Sequence, residues 1–182
     1  MSQAMNETMK EAMKNPANPS APKSPLVAIT MGSDSDYPTM KAAQEALTQL
    51  GIISEMSVIS AHRTPHEVAA FAETARARGI RVIIAGAGGA AHLPGMVAAY
   101  TELAVIGVPV PIGPLQGEDA LLSIVQMPKG VPVATVAIGN AWNAGVLAAQ
   151  ILGAGNPEIL DRLRAYKAEM RAQVLGKKLP SP

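Results

Sequence analysis

The chain has 182 residues, 48% of them hydrophobic and 16% charged, with a formal net charge of +1 and no cysteine. This composition predicts one well-packed domain, and it excludes disulfides and cysteine-ligated metal sites. The small net charge gives no electrostatic case for nucleic acid or an anionic membrane as a partner. No apolar run reaches the roughly 18–20 residues of a membrane span, and no apolar signal core begins the chain, so we expect a cytoplasmic protein.

Strand and helix patterns alternate along residues 25–155. In chain order the patterns predict strands over 26–31, 52–59, 81–85, 104–110 and 131–138, followed by helices over 37–50, 65–78, 91–101, 120–126 and 141–152. Such alternation is typical of a parallel sheet with right-handed crossovers. We therefore predict an α/β fold, a three-layer flavodoxin-like doubly wound sheet in a single domain. Ligands of such sheets bind beyond the carboxyl ends of the strands, near the topological switch point.

The two ends of the chain differ from this α/β domain. Residues 1–24 contain several prolines that interrupt any helix, and we expect a flexible N-terminal tail there. Residues 156–182 predict a final helix over 157–174 and a short tail. One stripe of that helix is apolar, which favours packing against a partner subunit: Ile159, Leu163, Tyr166, Met170 and Val174.

The turn after the first strand reads GSDSD at 32–36. Backbone N–H groups and serine hydroxyls at a helix N-terminus form a pocket for an anion. Two other interpretations stay open. Ser35 or Asp36 caps the helix, which is compatible with anion binding, or Asp34 and Asp36 bind Mg²⁺.

The turn after the second strand, SAHRTP at 60–65, contains the start of a helix. Thr64 is predicted as the N-cap, Pro65 as the first helical residue, and Glu67 as the capping-box partner that reaches back to the cap. The residues before Thr64 are not needed for that start, so they are available for another purpose.

Ser60, His62 and Arg63 stand at the carboxyl edge of the second strand. A lone histidine near a turn is usually structural, but an arginine fork suits phosphate, and a histidine that titrates near neutrality can move a proton. We therefore predict a phosphate-binding and proton-transferring site here. His66, in the first helical turn, is expected to be merely exposed.

The turn after the third strand is GAGGAAHLPG at 86–95. It fits the dinucleotide-binding fingerprint weakly, because it follows the third strand and no acidic residue closes the next one. A simpler interpretation is a bare backbone turn, in which Gly88 and Gly89 let a flat ligand approach the main chain. His92 is either a second polar group at that ligand or a buried histidine bonded to a carbonyl.

Five stretches together carry a resemblance to a known family: GSDSD, SAHRTP, GAGGAAHLPG, GVPV at 107–110 and SIVQMP at 123–128. In this order and spacing they resemble N5-carboxyaminoimidazole ribonucleotide mutase, an enzyme of de novo purine synthesis. The resemblance covers about residues 25–155. Taken alone, the SIVQMP stretch predicts a core helix that ends before Pro128, and the family pattern implies that it contributes to a neighbouring subunit's site.

The resemblance implies a flavodoxin-like homo-octamer with shared sites and a nucleotide substrate, working without metal, biotin or ATP. The reaction moves a carboxylate from N5 to C4 of the aminoimidazole ring, through loss and recapture of CO2. The implied catalytic residues are His62 and His92. The implied substrate-binding residues are Ser33, Ser35, Asp36, Ser60, Arg63, Gly86, Gly88, Gly89, Ala90 and Leu93.

Three alternatives to a mutase stay open. An AIR carboxylase would use free CO2, although that class has lysine where this chain has Arg63. A non-catalytic nucleotide-binding protein could share the fold. A phosphoacceptor domain would use Asp34 or Asp36, but it needs a lysine on the fifth strand, which 131–138 lacks. One departure from the family pattern is a shortened loop at 140–144, which contains the only tryptophan.

Overall fold

The computed structural model describes residues 24–177, so the expected N-terminal tail, except for Ser24, and residues 178–182 lie outside it. The strands are β1 (Val27–Met31), β2 (Ser54–Val58), β3 (Val82–Ala87), β4 (Ala104–Pro109) and β5 (Ala134–Thr135). The helices are α1 (Tyr37–Gln49), α2 (Pro65–Ala75), α3 (Leu93–Ala99), α4 (Glu118–Val125), α5 (Ala141–Gly153) and α6 (Pro157–Leu175). Strands and helices alternate in the predicted order.

The strands form one parallel sheet with the order β2-β1-β3-β4-β5. The chain reverses its direction across the sheet after β2, because β3 pairs with the other side of β1. This reversal is the switch point of a doubly wound sheet, where the carboxyl ends of β1 and β3 open a crevice between oppositely directed connections. The predicted flavodoxin-like α/β fold is confirmed.

Two apolar layers bury the sheet from opposite sides. On one side, alternate β1 residues such as Val27 and Ile29 pack with α1, α5 and the start of α6. On the other side, Ala28 shares a cluster with α2, α3 and α4. Successive strand residues point to opposite faces, so strands covered on both faces read as continuous apolar runs. None of the helices within residues 24–177 has the length and apolarity needed to cross a membrane.

Strand β5 is much shorter than the predicted 131–138. It has two residues and pairs only with β4, opposite Ile106 and Gly107. Pro132 has no N–H to donate to a ladder, and an edge strand has a neighbour on one side only. The connection after β5 still follows β4, since the Gly139 N–H donates to the Pro109 carbonyl at 2.9 Å.

Helix α6 begins on the core of its own chain. Ile159 and Leu163 are buried in the same cluster as α1 and α5, and the Trp142 Nε1–H donates to the Tyr166 hydroxyl at 2.9 Å. The later apolar residues of the stripe are exposed, Val174 by 64%. Within the predicted stripe, these last turns are therefore the part available for contact with a partner subunit.

Gly145 allows α1 and α5 to approach closely. A Cβ atom at this position would lie 2.6 Å from the Ala43 carbonyl oxygen and 2.9 Å from the Ala46 Cβ. Overpacking costs roughly 1–3 kcal/mol, and a clash with a backbone oxygen belongs to the upper part of that range, about 2–3, while alanine's better helix propensity returns only about 1. We expect Gly145→Ala to lower the free energy of unfolding by about 1–2 kcal/mol, measured by denaturant titration.

Gly155→Ala is the matched control, because a Cβ there would meet nothing within 4 Å. Its unfolding midpoint should stay close to that of the unmodified chain. Equal stability of the two variants would contradict the close approach at Gly145.

Candidate active site

A cavity of about 410 Å³ opens at the switch point, and the turns after β1, β2 and β3 supply most of its wall. Ten of the predicted site residues line it: Ser33, Ser35, Asp36, Ser60, His62, Arg63, Gly88, Ala90, His92 and Leu93. Gly86 and Gly89 do not. Three turns far apart in sequence therefore meet in one place, because parallel strands end at the same edge of the sheet.

The turn after β1 is closed by a capping box. The Ser33 hydroxyl accepts from the Ser35 N–H at 3.3 Å, and the Asp36 carboxylate accepts from the Ser33 N–H at 3.1 Å. Asp36 itself makes no side-chain cap bond to α1. The predicted cap at Ser35 or Asp36 is thus wrong: a 3-10 turn, Asp34–Asp36, precedes α1 and moves the cap back to Ser33.

Asp36 is the one buried charged residue of the part of the chain that the structure describes, only 3% exposed. Burial raises the pKa of its carboxyl above the usual aspartate value, and the Ser33 and Gly32 N–H groups oppose that rise. Asp34 is exposed, and its Oδ1 accepts from the Ser33 hydroxyl and the Ser35 N–H.

The two carboxylates of this turn therefore bond to its own backbone and hydroxyl groups. Over residues 24–177 no group of three or more histidine or acidic side chains has the arrangement of a metal site. The alternative of a Mg²⁺ site at Asp34 and Asp36 gains no support from this donor set.

The turn after β2 is held by bonds within itself. Thr64 occupies the N-cap position, as predicted, but the predicted capping box is wrong. Thr64 Oγ1 donates to the Ser60 carbonyl at 2.9 Å and accepts from the Ser60 N–H at 3.0 Å. It therefore makes no cap bond to α2, which begins at Pro65 as predicted. A side chain engaged with the preceding turn cannot also reach forward to the helix, and this engagement fixes the segment that carries His62.

Arg63 bridges the first two turns of the cavity. Its Nε–H donates to the Ser60 hydroxyl at 3.3 Å, and its Nη2 donates to the Gly32 carbonyl at 3.4 Å. These bonds hold the guanidinium between the Ser60 hydroxyl and the backbone of Gly32, which directly precedes Ser33, while its other N–H groups are available to a ligand. A planar cation next to serine hydroxyls and a helix N-terminus suits a phosphate group.

His62 and His92 form a hydrogen-bonded pair. His62 Nε2 lies 2.7 Å from His92 Nδ1, and the two rings are nearly perpendicular at 86°. One nitrogen donates and the other accepts, so a single proton is shared at this contact. Both side chains are exposed to the cavity. The alternative of a buried His92 bonded to a carbonyl is wrong.

Three glycines of the third turn, Gly86, Gly88 and Gly89, have different structural roles. Gly86 belongs to β3, and a Cβ on it would lie 2.2 Å from the Met40 Sδ, so it serves core packing rather than the cavity wall. Gly89 adopts a left-handed φ of +63°, which other residues rarely tolerate. Gly88 lines the cavity. Because Gly86 lies within a strand, the dinucleotide fingerprint does not form.

Sequence reasoning missed four residues of the cavity wall: Gly32, Ala61, Ala87 and Ile112. Three of them lie in turns that were already considered. Ile112 belongs to the loop after β4, at the same edge of the sheet. The rule that ligands bind beyond strand ends could have found it, but this loop has no charged or histidine side chain before Glu118 to draw attention.

The SIVQMP segment does not line this cavity. Ile124 is buried, as predicted for a core helix, but Val125 is 50% exposed. The Met127 Sδ would lie 2.9 Å from a Cβ at Gly95, so the end of the segment packs on α3. A contribution to another subunit's site stays a prediction.

The fold and the cavity together define a class of protein. It is a flavodoxin-like α/β protein whose switch-point crevice combines a serine-rich turn, a bridging arginine and a histidine pair. That combination can hold a phosphorylated ligand at one end and transfer a proton at the other.

Comparison with known proteins gives the family. The AIR carboxylase family matches residues 26–173. N5-carboxyaminoimidazole ribonucleotide mutase of Synechocystis is 60% identical over 154 residues, 85% of this chain and 88% of that protein. The protein of that name from Thermotoga maritima is 61% identical over 153 residues, 84% of this chain and 90% of that protein. The chain belongs to the AIR carboxylase family.

A solved structure agrees with this assignment. PurE of Treponema denticola is similar with a TM-score of 0.75 and 31% sequence identity, covering 83% of this chain and 94% of that one. A PurE2 variant from the same organism reaches a TM-score of 0.77 at 29% identity, covering 84% of this chain and 95% of that one.

Proposed function

We propose that this chain is an N5-carboxyaminoimidazole ribonucleotide mutase of de novo purine synthesis. The observation that carries the proposal is the hydrogen-bonded pair of His62 and His92 in the cavity that Arg63 borders. It stands in a chain 60% identical to a protein of that name. The enzyme is an isomerase that moves a carboxylate from N5 to C4 of the aminoimidazole ring.

The phosphate of the nucleotide binds at the serine-rich end of the cavity. Arg63 supplies a charged fork, and Ser33 and Ser35 supply hydroxyls near the N-terminus of α1. Asp36, which lines the cavity behind this turn, faces the ribose, where its carboxylate would accept from a ribose hydroxyl. Anchoring at a remote phosphate holds the ring without touching the reacting carbon.

The chemical step begins at the histidine end. The bond between N5 and the carboxylate carbon breaks, CO2 is formed, and the electron pair stays on nitrogen, which takes a proton. C4 of the electron-rich ring then attacks CO2, and the new tetrahedral carbon loses its hydrogen as a proton. One proton is gained and one is lost, so the overall change is an isomerisation without cofactor.

His62 is the acid–base group of both proton transfers, and His92 is its partner. Their 2.7 Å contact lets the pair give one proton and accept another without a large movement of either ring. A placed acid–base group contributes roughly 10²–10⁴ in rate. Holding CO2 beside C4 adds more, since proximity can supply roughly 7–11 kcal/mol.

Assembly into a homo-octamer with sites shared between subunits is part of the proposal. It is supported by large apolar side chains that stay exposed in one subunit around α4, namely Leu115, Leu122 and Val125. An octamer would bury this surface and bring the SIVQMP segment towards a second copy's cavity. A cytoplasmic location is expected for such a biosynthetic enzyme.

A comparison of two substrates, in separate assays, tests the function. The purified chain is given either N5-carboxyaminoimidazole ribonucleotide or aminoimidazole ribonucleotide with bicarbonate, and formation of the C4-carboxylated product is followed. We expect fast conversion of the first and slow conversion of the second. The reverse preference would make it a carboxylase, the activity in the name of a relative from Candida albicans. Binding without conversion of either would leave a nucleotide-binding protein.

A further inference from the structure

Ile112 forms part of the apolar wall of the cavity, and it has no role in the chemical steps proposed above. It is a large aliphatic residue, yet 42% exposed, and it lines the cavity together with Gly88 and Leu93. A Cβ atom at Gly88 would lie 2.3 Å from Ile112 Cγ1 and 2.5 Å from its Cδ1. The isoleucine therefore packs directly over the bare backbone of the third turn.

The position of Ile112 is set by the sheet rather than by the loop alone. The Val110 N–H, two residues earlier, donates to the Ala87 carbonyl at 2.9 Å, which extends the pairing of β4 with β3. Further along, Gly117 has a φ of +92°, and a Cβ on it would lie 3.1 Å from the Pro111 Cα. The loop is thus bonded to β3 at its start and packed against its own Pro111 at its end, with Ile112 held over Gly88.

The cavity has a polar end and an apolar end. The polar end holds the serine turn and Arg63, and the apolar wall consists of Ala61, Ala87, Leu93 and Ile112. The histidine pair adjoins both, since His62 stands between Ala61 and Arg63 in the chain and His92 immediately precedes Leu93. If phosphate occupies the polar end, the ring and the released CO2 lie against the apolar wall.

We propose that Ile112 keeps CO2 within the cavity between its release from N5 and its capture by C4. This inference rests on the proposed mutase function. CO2 is small, uncharged and poorly held by hydrogen bonds, so a close apolar wall that excludes water is what delays its escape. Ile112 supplies the most exposed part of that wall, on the side open to solvent. Shortening it or making it polar opens a route outward.

The test measures exchange of the carboxylate rather than rate alone. Substrate carrying ¹³C in the N5 carboxylate is converted in unlabelled bicarbonate with carbonic anhydrase, and the product is analysed by mass spectrometry. The unmodified chain should keep the label. In Ile112→Ser we expect the ratio of exchanged to retained carboxylate to rise by about tenfold, the scale of a lost apolar pocket contact. Label lost from substrate without enzyme is subtracted.

Ile112→Val is the matched control, because it keeps a branched apolar side chain and should retain the label. If the serine variant turns over too slowly, the ratio of exchanged to retained carboxylate is measured in Ile112→Ala instead. An unchanged ratio in both shortened variants would overturn the role of Ile112, while the unmodified chain still converts labelled substrate. Failure of the unmodified chain to convert it at all would instead contradict the mutase function.

Discussion

Replacing His62 with asparagine should lower turnover by roughly 10²–10⁴-fold while the nucleotide still binds. Asparagine keeps a polar group, but it cannot exchange a proton near neutral pH, so both proton transfers lose their acid–base group. The 2.7 Å contact with His92 is made by Nε2, which lies beyond the reach of the shorter amide, so the pair is broken as well. Turnover is measured with N5-carboxyaminoimidazole ribonucleotide, and binding is measured by calorimetry with the C4-carboxylated product.

His66→Asn is the control for this substitution. His66 is exposed in the first turn of α2 and does not line the cavity, so its variant should keep near-normal turnover. Near-normal turnover in the His62 variant would remove His62 from the chemistry. A combined loss of binding and turnover would instead give it a structural role in the turn after β2.

Replacing Arg63 with alanine should weaken nucleotide binding by about 10²-fold, equivalent to roughly 3 kcal/mol, since the phosphate loses its charge-assisted bonds. The internal bond to the Gly32 carbonyl is lost as well, but at 3.4 Å it is long and exposed. Dissociation constants are measured for the C4-carboxylated nucleotide product and for the same compound without its 5′-phosphate. The loss should appear only with the phosphorylated ligand.

Two further variants sharpen the Arg63 test. Arg76→Ala removes an equal charge from the exposed end of α2 and should leave binding unchanged, because Arg76 does not line the cavity. Arg63→Lys keeps the charge but not the planar fork, so binding should be partly restored. An unchanged dissociation constant in Arg63→Ala would contradict the phosphate assignment.

Much of the site could be predicted because its residues follow strands. Ser33, His62 and His92 each stand within a few residues of a strand's carboxyl end. Continuous apolar runs mark the strands before Ser33 and His92, whereas polar residues interrupt the edge strand before His62. Gly86 was predicted in the site but lies inside β3, because the strand extends two residues beyond the predicted end. Strand boundaries depend on pairing with neighbours, which a local pattern does not contain.

Hydrogen bonds within the turns were less predictable. Thr64 had the sequence signature of an N-cap, and in the structure its hydroxyl closes a ring with Ser60 instead. Ser33, rather than Ser35 or Asp36, caps the first turn. Short polar side chains have several backbone partners within reach, and the path of the chain chooses among them.

Taken by itself, the order of apolar runs and polar turns in the sequence determined the parallel α/β fold, the edge of the sheet that holds the site, and the residue types available there. Periodicity and strand-end position are local properties, and the sequence states them directly. The tertiary structure alone decided the 2.7 Å contact of His62 with His92, the burial of Asp36, and the packing of Ile112 on Gly88. The two contacts join segments that are far apart in the chain, and burial of a side chain depends on how such segments pack around it. Strand order and register decide both.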